Sequence, residues 1–250
     1  MIGRIFWLTG LVAVALLTIV LQLDFMSRRA PGLADFVPGP FRNHAQTQIA
    51  RNAVQGNEAA LALAEAPRLV RRRPLPSQNL TLLAIAQAKA GKAGRAARTI
   101  QIAGQRGWRD PIAQEDALRL ALEAGDQPEA ARRYAALFLR AGTPDRLLVE
   151  LGPRVLGAPG GIGQATMVAI VVGGERWHRT FLQRGAKVML PLAFSEITAM
   201  SLLDGAAFDC GQLGQAMKTL SQRDSDADGR LSMAAAGRCP QLVPESTFPL

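Results

Sequence analysis

The sequence has few of the residues, and none of the short motifs, that mark a catalytic centre. Its 250 residues include only two histidines, His44 and His178, in separate regions. Neither has a nucleophile motif beside it, and the chain contains no G-x-S-x-G, H-E-x-x-H, C-x-x-C or Walker sequence. Glu115 and Asp116 are adjacent, so on a helix their side chains point about 100° apart and form no convergent acid pair. The sequence therefore predicts a protein that is not an enzyme and needs no cofactor.

Aromatic residues are also scarce, at 5% of the chain, although the formal net charge is +9. The span from Arg42 to Asp145 holds 16 Lys and Arg against 9 Asp and Glu, including the run Arg71-Arg72-Arg73. Such a surface favours anionic ligands: acidic protein segments, acidic polysaccharide or lipid head groups. Nucleic acid is not expected as a partner, because aromatics are few and no binding motif occurs. The alternative is that the arginine run only ends a solvated helix before Pro74.

The chain has only two cysteines, Cys210 and Cys239, in one C-terminal segment. An even pair of this kind is typical of a disulfide, and disulfides persist in oxidising compartments. We therefore expect a bond between the two and a periplasmic location for the bulk of the chain. The alternative is two unpaired buried thiols in a domain that faces the cytosol.

One long uncharged run is present, from Ile5 to Leu23. Its 19 residues reach about 28 Å as a helix, close to the hydrocarbon thickness of a bilayer. The run is longer than that of a signal peptide, and no small-x-small cleavage site follows it. It predicts an uncleaved single-pass anchor in the inner membrane, after a flank at residues 1–4. Positive charges lie on both sides of the run, so the positive-inside rule says little about its orientation.

Two stretches of the chain repeat each other at a fixed distance. Gly91–Arg98 and Gly125–Arg132 align residue for residue at an offset of 34, and a weaker copy precedes them at Gln55–Ala60. This period is typical of a helix-turn-helix repeat. Each glycine is placed to end one helix, and the alanines that follow are small enough for two helices to pack closely. Three such units are enough to build a helical solenoid.

On these residues the chain resembles the tetratricopeptide-repeat family over residues 42–145. A turn glycine with an alanine five residues later, at Gly91/Ala96 and Gly125/Ala130, fits the family pattern, as does the aromatic Tyr134. The aromatic and the Leu-Gly pair expected in the first helix appear only as Leu83-Ala84 and Ala117-Leu118. The resemblance implies stacked helical hairpins whose concave face binds a protein or peptide. A helical-hairpin array of another repeat class would imply nearly the same function.

The segments on either side of the repeats are less regular. Residues 24–41 are rich in proline and glycine and predict a short stiff tether. In residues 146–240 the register fades, and the segment 167–182 fits a hairpin of strands or a helix. We expect helices there, because the surrounding chain is helical, and a tail at 241–250. The predicted fold class is all-α: an N-terminal transmembrane helix, tetratricopeptide-like helical hairpins and a further, mostly helical C-terminal region.

Asp224, Asp226 and Asp228 stand at alternate positions, followed by Gly229. This spacing over residues 224–232 resembles the calcium loop of an EF-hand, in which alternate side chains converge on one cation. Position 12, where that family has a bidentate Glu, is Ala235. The resemblance therefore implies at most a weak Ca²⁺ site. The alternative is an acidic turn between two helices that holds no metal.

Together these features predict a membrane-anchored helical-repeat scaffold that binds a protein partner in the bacterial cell envelope. By analogy with other envelope repeat proteins, it would serve in a secretion or polysaccharide-export assembly. Two alternatives are a calcium-responsive envelope module that uses the Asp224–Asp228 loop and a non-catalytic subunit of an envelope enzyme.

Overall fold

The computed structural model describes residues 2–242 and, within that range, contains only helices and the turns that join them. The prediction of an all-α fold is therefore confirmed. The chain divides into two compact units, residues 1–113 and residues 114–250. The predicted repeat segment 42–145 extends across this boundary. Of the predicted tail at 241–250, residues 243–250 lie outside the described residues.

The first unit begins with a long apolar helix, α1, Ile2–Met26. Within its stretch Gly3–Met26 an 18-residue window has a mean hydropathy of 2.3, so the helix is long and apolar enough to cross a membrane. The predicted anchor, residues 5–23, lies inside it. The hydroxyls of Thr9 and Thr18 donate to carbonyl oxygens one turn earlier, at 2.9 and 2.8 Å. Their polar groups are therefore satisfied within the helix, as a lipid environment requires.

The predicted tether is packed rather than extended. It forms two short 3₁₀ helices, Pro31–Phe36 and Gly39–Phe41. Ala34 and Val37 are buried against Ala45 of the next helix, and Leu23 of α1 packs on the same small core. The proline-rich segment therefore returns to the end of α1 instead of leading away from it.

The remaining helices of the first unit pack on one another in chain order. They are α2 His44–Gln55, α3 Ala59–Arg72, α4 Ser77–Lys89 and α5 Ala93–Arg106. Gly91 ends α4 in the left-handed conformation, with φ of 71°, and the Lys92 N–H donates to the Gln87 carbonyl at 2.8 Å. Gly125 has the same φ of 71°, and the following N–H makes the same bond to Ala121 at 2.9 Å. The repeated sequence therefore folds into a repeated turn.

The second unit continues the alternation of helices beyond the point where the sequence register fades. After α6, Pro111–Glu123, which begins in the first unit, its helices are α7 Gln127–Phe138, α8 Asp145–Leu156, α9 Ile162–Val172, α10 His178–Val188, α11 Pro191–Leu203, α12 Cys210–Ser221 and α13 Ser225–Ala235. The odd-numbered helices from α7 to α13 pack side by side in one row, and α8, α10 and α12 pack in another. The segment 167–182, for which we expected helices, is therefore helical and belongs to α9 and α10.

Arg184 of α10 fastens the turn between α7 and α8. Its guanidinium donates to the carbonyls of Phe138 and Arg140, at 2.6 and 3.0 Å, and to that of Thr143. It also donates to Asp145 Oδ1 at 2.9 and 2.7 Å. These bonds satisfy carbonyls that the end of a helix leaves unpaired.

Candidate binding groove

An apolar groove of about 500 Å³ lies between α9 and α11 in the second unit. Both helices belong to the row of odd-numbered helices, where α9 packs on α7 and α11 packs on α13. Each helix that borders the groove therefore packs against a further helix on its other side. A volume of this size lies in the range of sites that bind apolar groups.

Helix α9 supplies a wall of small and β-branched side chains. Its sequence is apolar around most of the helix, so burying one face leaves apolar side chains on the other. Ala165, Val168, Ala169 and Val172 line the groove at helical spacing. Ala165, Ala169 and Gly173 are exposed, are spaced four residues apart, and form a row of small residues along the helix. Such a row lets the backbone of a docked helix approach closely.

Helix α11 supplies the opposite wall and the groove's charge. Ile197 forms its base and is fully buried, whereas Met200 lies half-exposed along the edge. Glu196 also lines the groove, and its Oε2 is buried without a hydrogen-bond partner among residues 2–242. Asp204 lies at the end of the groove, just after the helix. None of the described residues that line the groove is basic. The groove is therefore apolar with an acidic side.

The loop at one end of the groove is fixed by Gln164. Its side-chain amide donates to the Leu156 carbonyl at 2.9 Å and its oxygen accepts from the Gly160 N–H at 3.1 Å. Gln164 is buried, so these bonds hold the turn between α8 and α9 in one shape. The groove is therefore largely pre-formed at this end.

The structure differs from the predicted calcium loop in its backbone. Residues 225–235 are α-helical, and Asp224 is the N-cap of α13, where its carboxylate accepts from the Ala227 N–H at 2.9 Å. Asp226 and Asp228 lie in the first turn of that helix, where acidic side chains are favoured by the helix dipole. Burial raises the pKa of Asp228. Within residues 2–242 no three His, Cys, Asp or Glu side chains are grouped as metal ligands. The alternate carboxylates therefore do not converge, because a helix spaces them around its axis.

The two cysteines are brought together. Cys210, at the start of α12, is joined to Cys239, just after α13, with their Cα atoms 5.7 Å apart. This separation lies in the range of about 4.4–6.8 Å that a disulfide requires. The bond ties together the two ends of the last helical hairpin. That it forms in an oxidising compartment stays a prediction.

The two histidines serve packing in different units. His178 is buried, with its Nε2 3.0 Å from the Val171 carbonyl and its ring 4.6 Å from that of Phe208. His44 begins α2, and Arg73 donates to its Nδ1 at 3.1 Å. Burial and the nearby charge of Arg73 lower the pKa of His44.

One polar contact could not be foreseen from local sequence. Asp24, at the end of α1, is buried and accepts three backbone N–H groups at the start of α2. Its Oδ1 accepts from Asn43 and Ala45 at 2.8 and 2.9 Å, and its Oδ2 accepts from His44 at 3.1 Å. The carboxylate thus caps a helix about 20 residues away in the chain. The one sequence feature that could have indicated this cap is an acidic residue directly after an apolar span.

Comparisons of this chain with protein-family models, with curated proteins and with solved structures find no match. The helical hairpins are thus established by the structure alone. The tetratricopeptide resemblance rests on the repeated residues and stays a prediction.

Proposed function

We propose that this protein is a membrane-anchored, non-catalytic scaffold of the bacterial cell envelope that binds a helical segment of a protein partner in the groove between α9 and α11. The observation that carries the proposal is the pairing of an apolar groove with one buried carboxylate oxygen, Glu196 Oε2, for which residues 2–242 offer no hydrogen-bond partner. The partner segment is apolar on the face that docks and carries a Lys or Arg that reaches Glu196.

The energetics of the groove support an apolar ligand. Burying apolar surface in a complex contributes roughly 25 cal/mol of favourable free energy for each Å² removed from water. Met200 of α11 lines the groove and is 49% exposed, and Leu203 and Ile162, which lie on the same two helices outside the groove lining, are 72% and 63% exposed. A partner that covered such side chains would be stabilised by their burial, as in other helix-in-groove complexes.

The charge of the groove supports a basic residue in that ligand. Covering Glu196 with a purely apolar surface would remove the rest of its carboxylate from water without compensation, in addition to the buried Oε2, and burying an unpaired ion costs several kcal/mol. A Lys or Arg at the right position would supply the missing hydrogen bond and charge. The acidic side of the groove therefore selects against neutral and acidic segments.

The placement of the scaffold in the envelope rests on two further features. Helix α1 is long and apolar enough to span a membrane once, which is consistent with single-pass anchoring. The geometry of Cys210 and Cys239 supports a disulfide, so a periplasmic orientation is proposed for the rest of the chain. A role in secretion or polysaccharide export remains an analogy. Binding of a peptide to the concave face of residues 42–145 remains a separate prediction.

Photo-crosslinking tests the groove in the full chain. A benzoylphenylalanine is placed at Ala169, an exposed position on the small-residue row, and the protein is irradiated in cell membranes. We expect one protein adduct whose crosslinked peptide is apolar and contains Lys or Arg. The yield should fall by about tenfold or more in Glu196→Lys, since like charges face each other there, and less in Glu196→Gln.

The matched control is the same amino acid at Met233 of α13, which is 68% exposed in the same unit and does not line the groove. It should give no such adduct. An adduct that survives Glu196→Lys, or that forms equally from position 233, would contradict the proposal. A lipid adduct from position 169 would reassign the groove to acyl chains.

A further inference from the structure

Helix geometry gives the position, relative to a bilayer spanned by α1, of the small core at the end of that helix. If the uncharged run begins at Ile5, then Leu23 lies about 27 Å farther along the helix axis, near the boundary between hydrocarbon and head groups. Leu23 packs on the core formed by Ala34, Val37 and Ala45. The segment that carries Ala34 and Val37 is therefore held at the level of the membrane surface. Residues 27–42, which comprise this segment and its flanks, are here called the collar.

Aromatic side chains in and beside the collar are exposed and do not pack in the small core. Phe36, next to the buried Val37, is 74% exposed, and Phe41 is 38% exposed. Phe25, at the end of α1, is 49% exposed, and the Arg28 guanidinium lies 5.4 Å from its ring centroid. In a chain with few aromatics this concentration is notable, because aromatic side chains favour the head-group region of a bilayer.

The collar is also basic. It contains Arg28, Arg29 and Arg42 against the single acid Asp35, and Arg28 and Arg29 are exposed. Arg72, at the end of α3, adds its charge by donating to the Gly39 and Arg42 carbonyls, both at 2.6 Å. Arginines at this depth are attracted by the negative surface potential of anionic lipid.

The collar is held to α1 by hydrogen bonds as well as packing. Asp24 accepts from the backbone N–H groups of residues 43–45, which directly follow the collar. Arg42 Nε in turn donates to the Val37 carbonyl at 2.7 Å. The collar therefore begins at the end of the apolar helix and is tied back to it at its far end, so its exposed side chains have a defined height relative to α1.

We propose that the collar is a membrane-docking surface: Phe36 and Phe41 insert into the head-group region of an anionic bilayer while Arg28 and Arg29 contact its phosphates. The proposal rests on the anchoring part of the proposed function and is independent of the α9–α11 groove. It implies that the first unit is held at the lipid surface rather than swinging on a free tether.

Depth-dependent fluorescence quenching tests the proposal on the full chain. Trp7, Trp108 and Trp177 are replaced by Phe, and a single tryptophan is introduced as Phe36→Trp, as Val14→Trp in the apolar run, or as Ile102→Trp. Ile102 is a 44% exposed residue of α5, the helix that packs on α4. Each protein is reconstituted in phosphatidylcholine/phosphatidylglycerol vesicles that carry bromine either close to the head groups or deep in the acyl chains.

We expect deep bromine to quench Val14→Trp most, shallow bromine to quench Phe36→Trp most, and neither to quench Ile102→Trp. In the double variant Arg28→Gln/Arg29→Gln the shallow quenching of Phe36→Trp should fall by roughly half or more. Arg95→Gln/Arg98→Gln, which removes two exposed charges from α5, should leave it unchanged. In vesicles of phosphatidylcholine alone, the Arg28/Arg29 substitutions should have little effect.

The outcomes separate the two parts of the argument. Quenching of Val14→Trp without quenching of Phe36→Trp overturns the collar proposal and leaves the anchor intact. An unquenched Val14→Trp overturns the anchor itself, and the collar with it. If both arginine double variants lowered the shallow quenching of Phe36→Trp equally, the overall positive charge of the protein, and not the collar, would account for the quenching.

Discussion

The two units of the chain build their interiors from different residues. The core of the first unit is made mostly of small side chains, and Ala53, Val54, Ala62, Ala66 and Ala86 form one of its clusters. The core of the second unit contains five buried aromatics, listed in chain order as Tyr134, Phe138, Phe181, Phe194 and Phe208. Alanine contacts let helices approach closely but remove little apolar surface from water, whereas each aromatic side chain buries about 150–250 Å².

The first unit compensates with polar contacts in its interior. Gln46 donates to Glu65 Oε2 at 2.8 Å, and both residues are buried. Thr81 donates to Asp110 Oδ2 at 2.6 Å, again between buried side chains. Such pairs specify a unique packing but contribute modest net stability. We therefore expect the second unit to be the more stable of the two, and the first to depend more on α1 and its surroundings.

The largest effect is expected from Phe181→Ala. Phe181 is fully buried, with its ring 5.5 Å from that of Phe194 and 6.2 Å from that of Phe208. Truncating it should lower the free energy of unfolding of the second unit by about 3–5 kcal/mol, because a close-packed aromatic cluster collapses poorly around a cavity. Hydrogen exchange resolved by peptide measures this in α10 to α12. Met233→Ala, at an exposed site, should have no comparable effect, and a loss below about 1 kcal/mol in Phe181→Ala would refute the aromatic core.

Reduction of the disulfide should have the next largest effect. Cys210 and Cys239 are 29 residues apart, so the bond should stabilise the second unit by about 3–4 kcal/mol, mainly by restricting the unfolded chain. Urea denaturation with and without reductant measures the difference, and Cys210→Ser/Cys239→Ser, which has no bond to reduce, is the control. Free-thiol labelling of both cysteines in unreduced protein from the membrane would contradict the disulfide and the periplasmic proposal.

Local periodicity and turn chemistry predicted the helices well. The predicted turn glycines Gly91 and Gly125 lie between α4 and α5 and between α6 and α7, and the helices expected in residues 146–240 are present as α8 to α13. Gly91 and Gly125 adopt the left-handed conformation because no side chain opposes it. These features depend on neighbours within a few residues, which a sequence displays directly.

Features that depend on distant residues were not predictable in this way. Asp24 caps a helix that begins 20 residues later, and the α9–α11 groove arises from two segments whose apolar patterns look like ordinary core helices. The segment at Asp224 left two interpretations open for a different reason. Closely spaced acids suit both a calcium loop and the first turn of a helix, and only the backbone distinguishes the two.

A smaller effect, confined to the first unit, is expected from Asp24→Ala. The substitution leaves three backbone N–H groups at the start of α2 without their acceptor and should cost about 1–3 kcal/mol. Amide exchange at residues 43–45 should quicken in the variant. Asp24→Asn, which keeps one acceptor oxygen, should lose less, and Asp35→Ala, at an exposed acid of the collar, should change nothing. Unchanged exchange in Asp24→Ala would show that α2 does not depend on this cap.

The smallest effect is a pH dependence that should again appear in the first unit alone. The pKa of His44 is lowered in the folded protein, chiefly by burial and then by the charges of Arg73 and Arg28, with Asp24 opposing them. The unfolded chain therefore binds a proton more readily, so the free energy of unfolding should decrease as the pH falls through the unfolded value of 6.5 towards the lower folded one. Melting of the first unit, followed at pH values from about 7.5 to 5.5, should show this decrease, and His44→Gln should abolish it. The same slope in the variant would assign the pH dependence to another group.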